Sequence, residues 1–341
     1  MSSNDSVVIK NIYHMLAYAF RSLKIGGISE FGAESFENLN ELFAEIIVQG
    51  MKRQLKRGLP RSYIHEHDEL KNLRGKINFQ ESLRKQSHVR HGLVCEFDEF
   101  LEDTPGNQII KGAVVNLLRQ SNLSKNRRHY LKFIWSSLGS VSDVKPLNLN
   151  CRISGDSDYV TLVNICQFFL RGLLINSEGN TKMREWLRDE EMSVLYEHFL
   201  LAYFRRHHSS LNAKAARINW DMQEFSYHMP AMKSDVYLSY EDKILIIDAK
   251  YYTKTMSDNF GKKTYHSNNL YQIYTYVKNA DLNKNGNVSG MLLYAKTDEE
   301  ITPDIDTLIG GNKISVKTLD LAQSFDHIKA QLDVIAESLY Y

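Results

Sequence analysis

The run Lys243-Ile-Leu-Ile-Ile-Asp-Ala-Lys250 constrains the fold more than any other stretch. Four consecutive aliphatic residues, three of them β-branched, read as a buried central strand, which needs neighbouring strands and covering helices. Just upstream, Val236 to Tyr240 reads as a second strand, and Glu241-Asp242 is a polar pair between the two, so the stretch is expected to form a β-hairpin with a two-residue turn. Counting outward from that turn pairs Tyr240 with Lys243 and puts Asp235 directly opposite Asp248. Because strand side chains alternate, Asp248 and Lys250 share one face while Ala249 points away.

Directly opposed strand residues have Cβ atoms about 4.5–5.5 Å apart, and like charges there are destabilising unless something neutralises them. A magnesium ion does so with one or two carboxylates and retained waters, and the Ala249 carbonyl would supply a further oxygen. Lys250 is placed to orient a water and to stabilise charge on a phosphate, which suits metal-assisted phosphodiester hydrolysis. The plainer reading is a buried strand that ends in an Asp248–Lys250 ion pair. Acid-x-lysine occurs four times in the chain, and only at Asp248 does it end a continuous apolar run.

Two helical segments bear on the same site. In the helix around 267–279, Leu270, Ile273 and Val277 form an apolar stripe, with Gln272 and Tyr276 four apart on a neighbouring face. Those two could hold a phosphate or fix Lys250, or simply belong to an amphipathic crossover helix. Glu197 sits among Val194, Leu195, Phe199 and Leu200, where it could complete a metal site or lie solvated at the stripe's edge.

At 341 residues the chain suggests two domains, here drawn as 1–175 and 176–341 across the linker-like 176–182. The first is expected to be mainly helical with a β-rich insertion at about 62–100. The second reads as helix, three-stranded antiparallel meander, crossover helix, two strands and a final helix. This is an α/β domain (α+β overall) with a mixed sheet flanked by helices. A net charge of +1 announces no global nucleic-acid field. Basic runs at 52–61, 125–132 and 204–208 are local candidates for phosphate contact. Three cysteines without a CxxC pair exclude a readable disulfide framework or zinc knuckle. No membrane span or signal peptide is seen, so a cytoplasmic protein is expected. No G-x-x-x-x-G-K-[ST] occurs, so no P-loop nucleotide site is expected in this chain.

The set Asp235 … Asp248-Ala249-Lys250 resembles the PD-(D/E)xK nuclease superfamily, and Gln272-x-x-x-Tyr276 resembles the helix motif of its RecB-like branch. Ser234 stands where that pattern has proline. Over nearly the whole chain, "NIYHMLAYAF", "RGKINFQES", "DTPGNQIIKGAV", "ILIIDAKYY" and "HSNNLYQIYTYV" look like the McrC family, nuclease subunits of McrBC modified-cytosine restriction systems. The resemblance implies a DNA endonuclease using magnesium, or manganese in its place. Asp235, Asp248 and Lys250 would be catalytic, with Gln272 and Glu197 in support, and Glu197 would be a further metal ligand. It also implies a McrB-like hexameric AAA+ GTPase partner that binds the GTP, a substrate of double-stranded DNA with modified cytosine, and McrC–McrC pairing for double-strand cleavage. The 62–100 insertion would be a finger entering the ring, with Arg74, Lys76 and Phe79 as contacts. Lys262, Lys263 and Tyr276 would touch DNA. A catalytically silent activator of the GTPase and a stand-alone RecB-like repair nuclease remain as alternatives.

Overall fold

The computed structural model describes residues 3–19, 38–143, 148–151, 153–174, 189–222, 228–251, 257–259, 262–264, 266–296 and 303–340. The chain forms two compact units, one of Phe43–Arg171 and one of Met1–Leu42 with Gly172–Tyr341.

Helices α1 (Ser3–Ala19) and α2 (Leu39–Arg57) come first, followed by strands β1 (Ser62–Leu70) and β2 (Lys76–Ile77), the short helix α3 (Phe79–Arg84) and β3 (Leu93–Leu101). β1 and β3 pair antiparallel from Ser62↔Leu101 to Leu70↔Leu93, and β2 adds to the other edge of β3. The insertion is therefore β-rich as expected, except that 79–90 turns helical. Asn78 caps α3 by accepting from the Glu81 N–H, which commits the backbone to a helical turn. Helices α4 (Pro105–Arg119), α5 (Lys125–Ser137) and α6 (Ser157–Leu174) follow. Thr104 caps α4 ahead of a proline at its first turn, and Ser124 caps α5. Phe43, Ile47, Ile110, Val114, Leu131, Val163 and Phe169 are fully buried in this unit.

The other unit carries α7 (Asp189–His207), a small two-stranded sheet of β4 (Arg217–Ile218) and β5 (Met232–Lys233), and the hairpin β6 (Val236–Tyr240) and β7 (Lys243–Lys250). Next come the β8 (Ser257–Asn259) and β9 (Lys262–Thr264) pair, α8 (Ser267–Ala280), β10 (Val288–Ala295), β11 (Ile305–Ile309), β12 (Asn312–Leu319) and α9 (Phe325–Glu337). The main sheet has the order β11-β12-β10-β7-β6. β10 runs parallel to both β7 and β12, while β6 and β11 are antiparallel edges, so the sheet is mixed as expected. Joining parallel β7 and β10 requires a crossover, and α8 supplies it. Ile246, Ile273, Val277, Leu292, Tyr294, Ile314 and Val316 form the core beneath α8.

Three features differ from the sequence reading. A strand at about 215–226 was expected in the main sheet. The described part gives a shortened version, the two-residue β4 with one further antiparallel bridge from Lys214 to Tyr237 of β6, and 223–227 lie outside the described residues. Beyond β4 the chain leaves the ladder because the Trp220 indole donates to the Pro230 carbonyl and the Asp221 N–H donates to Asn279. Strand β11 was not foreseen, since all five of its residues are exposed and show no buried alternation. Finally, α1 belongs to the same unit as the main sheet, not to the helical N-terminal half. Its Ile12, Tyr13, Met15 and Leu16 are buried, and the Asn11 amide donates to the Leu321 and Gln323 carbonyls at 2.8 Å each. The linker candidate 176–182 lies outside the described residues. Cys95, Cys151 and Cys166 are free thiols, and no described helix is long and apolar enough to cross a membrane.

Candidate active site

The hairpin pairs Tyr240 with Lys243 and Val236 with Ile247, the register counted from the sequence. Its turn holds Glu241 at φ 50°. One step past the last ladder pair, the Asp235 carboxylate takes the place of a backbone partner: its Oδ2 accepts from the Ala249 N–H at 2.8 Å. Asp235 thus reaches the strand end beside Asp248. Burial, then the Asp248 charge, then the Glu197 charge push its carboxyl up to about 7.

Asp248 is 2% exposed, and burial raises its pKa against the pull of Lys250. The Lys250 ammonium lies 2.7 Å from the buried Asp248 Oδ2, and its charge and hydrogen bond oppose that rise. Lys250 Nζ also donates to Gln272 Oε1 at 3.0 Å, and Gln272 Nε2 donates to the Tyr276 hydroxyl at 2.9 Å. Both Gln272 and Tyr276 are thereby engaged in aligning the lysine.

Glu197, half-buried on α7, accepts from Ser193 Oγ at 3.3 Å. Burial raises its pKa, Ser193, His198 and Lys250 oppose the rise, and Asp248 adds to it. It shares the field of the site, but among the described residues no three His, Cys, Asp or Glu side chains converge closely enough to hold an ion. A magnesium site here would rest on Asp235, Asp248 and the Ala249 carbonyl. Two neighbouring carboxylates, whose repulsion helps to raise the Asp235 pKa, fit an ion that takes one or two carboxylates and keeps its waters.

The remaining predicted positions lie elsewhere. Lys262 and Lys263 fall in β9, paired with Asn259 and Asp258 of β8, between β7 and α8; their side chains lie outside the described residues. In the Phe43–Arg171 unit, Arg74 binds Glu99 at 2.9 Å and lies over the Phe97 ring, while Lys76 and Phe79 are exposed. A pair the sequence did not single out is Asn269 and Tyr294. The Asn269 amide donates to the Tyr294 hydroxyl at 3.0 Å, and Tyr294 stands beside Lys250 in the β7–β10 register. Asn269 precedes Gln272 by three on the same helical face, a spacing that could have drawn attention to it. A concavity of about 810 Å³ on the opposite sheet face, lined by Leu245, Met291 and Val334, contains none of the predicted site residues.

The chain is 28% identical to the type IV methyl-directed restriction enzyme EcoKMcrBC of Escherichia coli K12, over 98% of each sequence. Its fold resembles that of a chain in the half-complex from a tetradecameric assembly of Thermococcus gammatolerans McrB AAA+ hexamers with bound McrC. That match has a TM-score of 0.50 and 18% identity, covering 96% of this chain and 76% of that one. The model for McrBC 5-methylcytosine restriction system components matches residues 3–295, a span that includes the aspartate pair, Lys250 and the Gln272 helix. The chain therefore belongs to the McrBC family of 5-methylcytosine restriction system components.

Proposed function

We propose that this chain is the endonuclease subunit of its restriction system and cuts modified-cytosine DNA by magnesium-dependent phosphodiester hydrolysis. The observation that carries the reading is half-buried Asp235 beside buried Asp248, with Lys250 held between Asp248 and Gln272. Asp235, Asp248 and the Ala249 carbonyl would hold the ion, with manganese as a substitute. When bound, magnesium offsets the two carboxylate charges and stabilises negative charge on the phosphate. Gln272 keeps the Lys250 ammonium on the reacting face, where it orients the attacking water and supports the charge that develops on phosphate oxygen. Tyr276 fixes the Gln272 amide so that its oxygen, not its nitrogen, meets Lys250. Glu197 adds negative potential that draws a cation to the site.

On this reading the chain works docked on a McrB-like AAA+ GTPase ring and stimulates its GTP hydrolysis; the docking is supported by the Thermococcus McrC chain bound to McrB AAA+ hexamers. The β1–β3 ribbon is the part proposed to enter the ring, with Phe79 as an exposed apolar contact. The full chain, mixed with such a GTPase, GTP, magnesium and modified DNA, is expected to cut, and a chelator to stop the cutting. GTP turnover stimulated without any cutting would instead identify a silent activator. Cutting without partner or GTP would identify a stand-alone nuclease.

A further inference from the structure

Two side chains on one face of α8 reach two adjacent strands at the same level. Gln272 accepts from Lys250 of β7 at 3.0 Å, and Asn269 donates to the Tyr294 hydroxyl of β10 at 3.0 Å. Lys250 and Tyr294 are themselves partners in the parallel β7–β10 register, so their side chains leave the sheet on the same face. Helical residues three apart have Cβ atoms about 5–6 Å from each other, close to the spacing of about 4.8 Å between neighbouring strands, which lets both bonds form together.

Asn269 ties in the one turn of α8 that has no side-chain cap. The N-cap residue His266 makes no side-chain cap hydrogen bond, whereas Asn78, Thr104, Ser124 and Ser324 each accept from the third residue of the helix they begin. Asn269 and Tyr294 are both buried, so breaking their bond would strand a desolvated amide and a desolvated hydroxyl. Further along α8, Ile273 and Val277 lie against Gly290 and set how close the helix comes to the sheet. Apolar contact of that kind is non-directional, and the rotation of the first turn is left to the polar tether. Gln272 has both ends of its amide engaged, by Lys250 and by Tyr276, so any rotation of the helix is passed to the Lys250 contact.

We propose that Asn269 is a positioning residue for cleavage: by tethering the first turn of α8 to Tyr294, it sets the rotation at which Gln272 meets Lys250. Its effect is exerted through Gln272 and requires no contact with DNA or metal. The inference rests on the proposed nuclease role of Lys250.

The test is single-turnover cleavage by the full chain assembled with the GTPase ring, GTP, magnesium and modified DNA, measured across DNA concentrations. Asn269→Ala and Tyr294→Phe are each expected to slow cleavage at saturating DNA about 10-fold, the low end for losing a group that orients another. The half-saturating DNA concentration and GTP turnover should stay at wild-type values. In a Gln272→Ala background, Asn269→Ala should slow cleavage by less than about twofold further, because the group it acts through is gone. The drop in melting temperature should be similar in both backgrounds, since the buried bond does not involve Gln272. Full-rate cleavage by both Asn269→Ala and Tyr294→Phe overturns the inference. So does a loss that multiplies fully with that of Gln272→Ala, the result for a bond that only supports the fold. If Asn269→Ala does not fold, Tyr294→Phe carries the same comparison. Wild-type cutting by Asp248→Ala would overturn the nuclease reading and this inference with it. An inactive Asp248→Ala beside full-rate Asn269→Ala and Tyr294→Phe would overturn this inference alone.

Discussion

Asp235 holds its proton to about pH 7 because burial and two neighbouring carboxylates all oppose ionisation. The native state then binds a proton that the unfolded chain has released, between the ordinary carboxylate pKa of 3.8 and about 7. Stability of the metal-free protein is highest on the acid side of that window and falls as pH rises through it. In chelator, the melting temperature should decline from about pH 5 to about pH 8, with the Asp248 and Glu197 shifts adding in the same sense. Asp235→Asn should flatten this decline and melt higher than wild type at the alkaline end. Magnesium should raise the wild-type melting temperature most above neutral pH and leave the variant unmoved; a pH-independent wild type would contradict the assignment. Gln272→Ala should slow cleavage on the order of 10–100-fold, the range for losing a group that orients a reacting one. Single-turnover rates at saturating DNA would measure it. Asp235, Asp248 and Lys250 were legible because the two-step strand period and a two-residue turn fix who faces whom. The Asn269–Tyr294 pair was not, since a helix separates the partners and their meeting depends on a parallel register no local pattern encodes.

Helix α8 brings Gln272 to Lys250 only because the sheet lets it come close. A Cβ added at Gly290 on β10 would lie 2.7 Å from Val277 and 2.8 Å from Ile273, both on the helix face that packs there. Gly290→Ala should lift α8 from the sheet, costing about 1–3 kcal/mol as overpacking does. It should also weaken cleavage more than partner binding, read by a denaturant melt alongside the two assays. Normal stability with full cleavage would show that α8 tolerates the displacement. At this scale the β6–β7 hairpin and α8 could be read from apolar periodicity. The β11–β12 hairpin was missed although Gly310 and Gly311, at φ +58° and +88°, form the left-handed pair such a turn needs. The exposed Ile305–Ile309 segment has no buried side to impose a pattern, so the glycine pair was its only local mark.

Residues 1–42 join 172–341 in the unit that carries the proposed nuclease site, while 43–171 stand as a unit of their own. The apolar stripe on α1 says that it must be covered but not by what, so a division drawn along the sequence put it with its chain neighbours. Composition was equally silent on surface charge, because a net of +1 averages over every patch of the chain. The whole account turns on separating cutting from GTP turnover. Asp248→Ala, assembled with the GTPase partner, GTP, magnesium and modified DNA, should lose cleavage by on the order of 10³-fold, as when a transition-state stabilising group is removed. The same complex should hydrolyse GTP at the wild-type rate. Cleavage that persists at near wild-type rate in this variant would contradict the assignment of the active site.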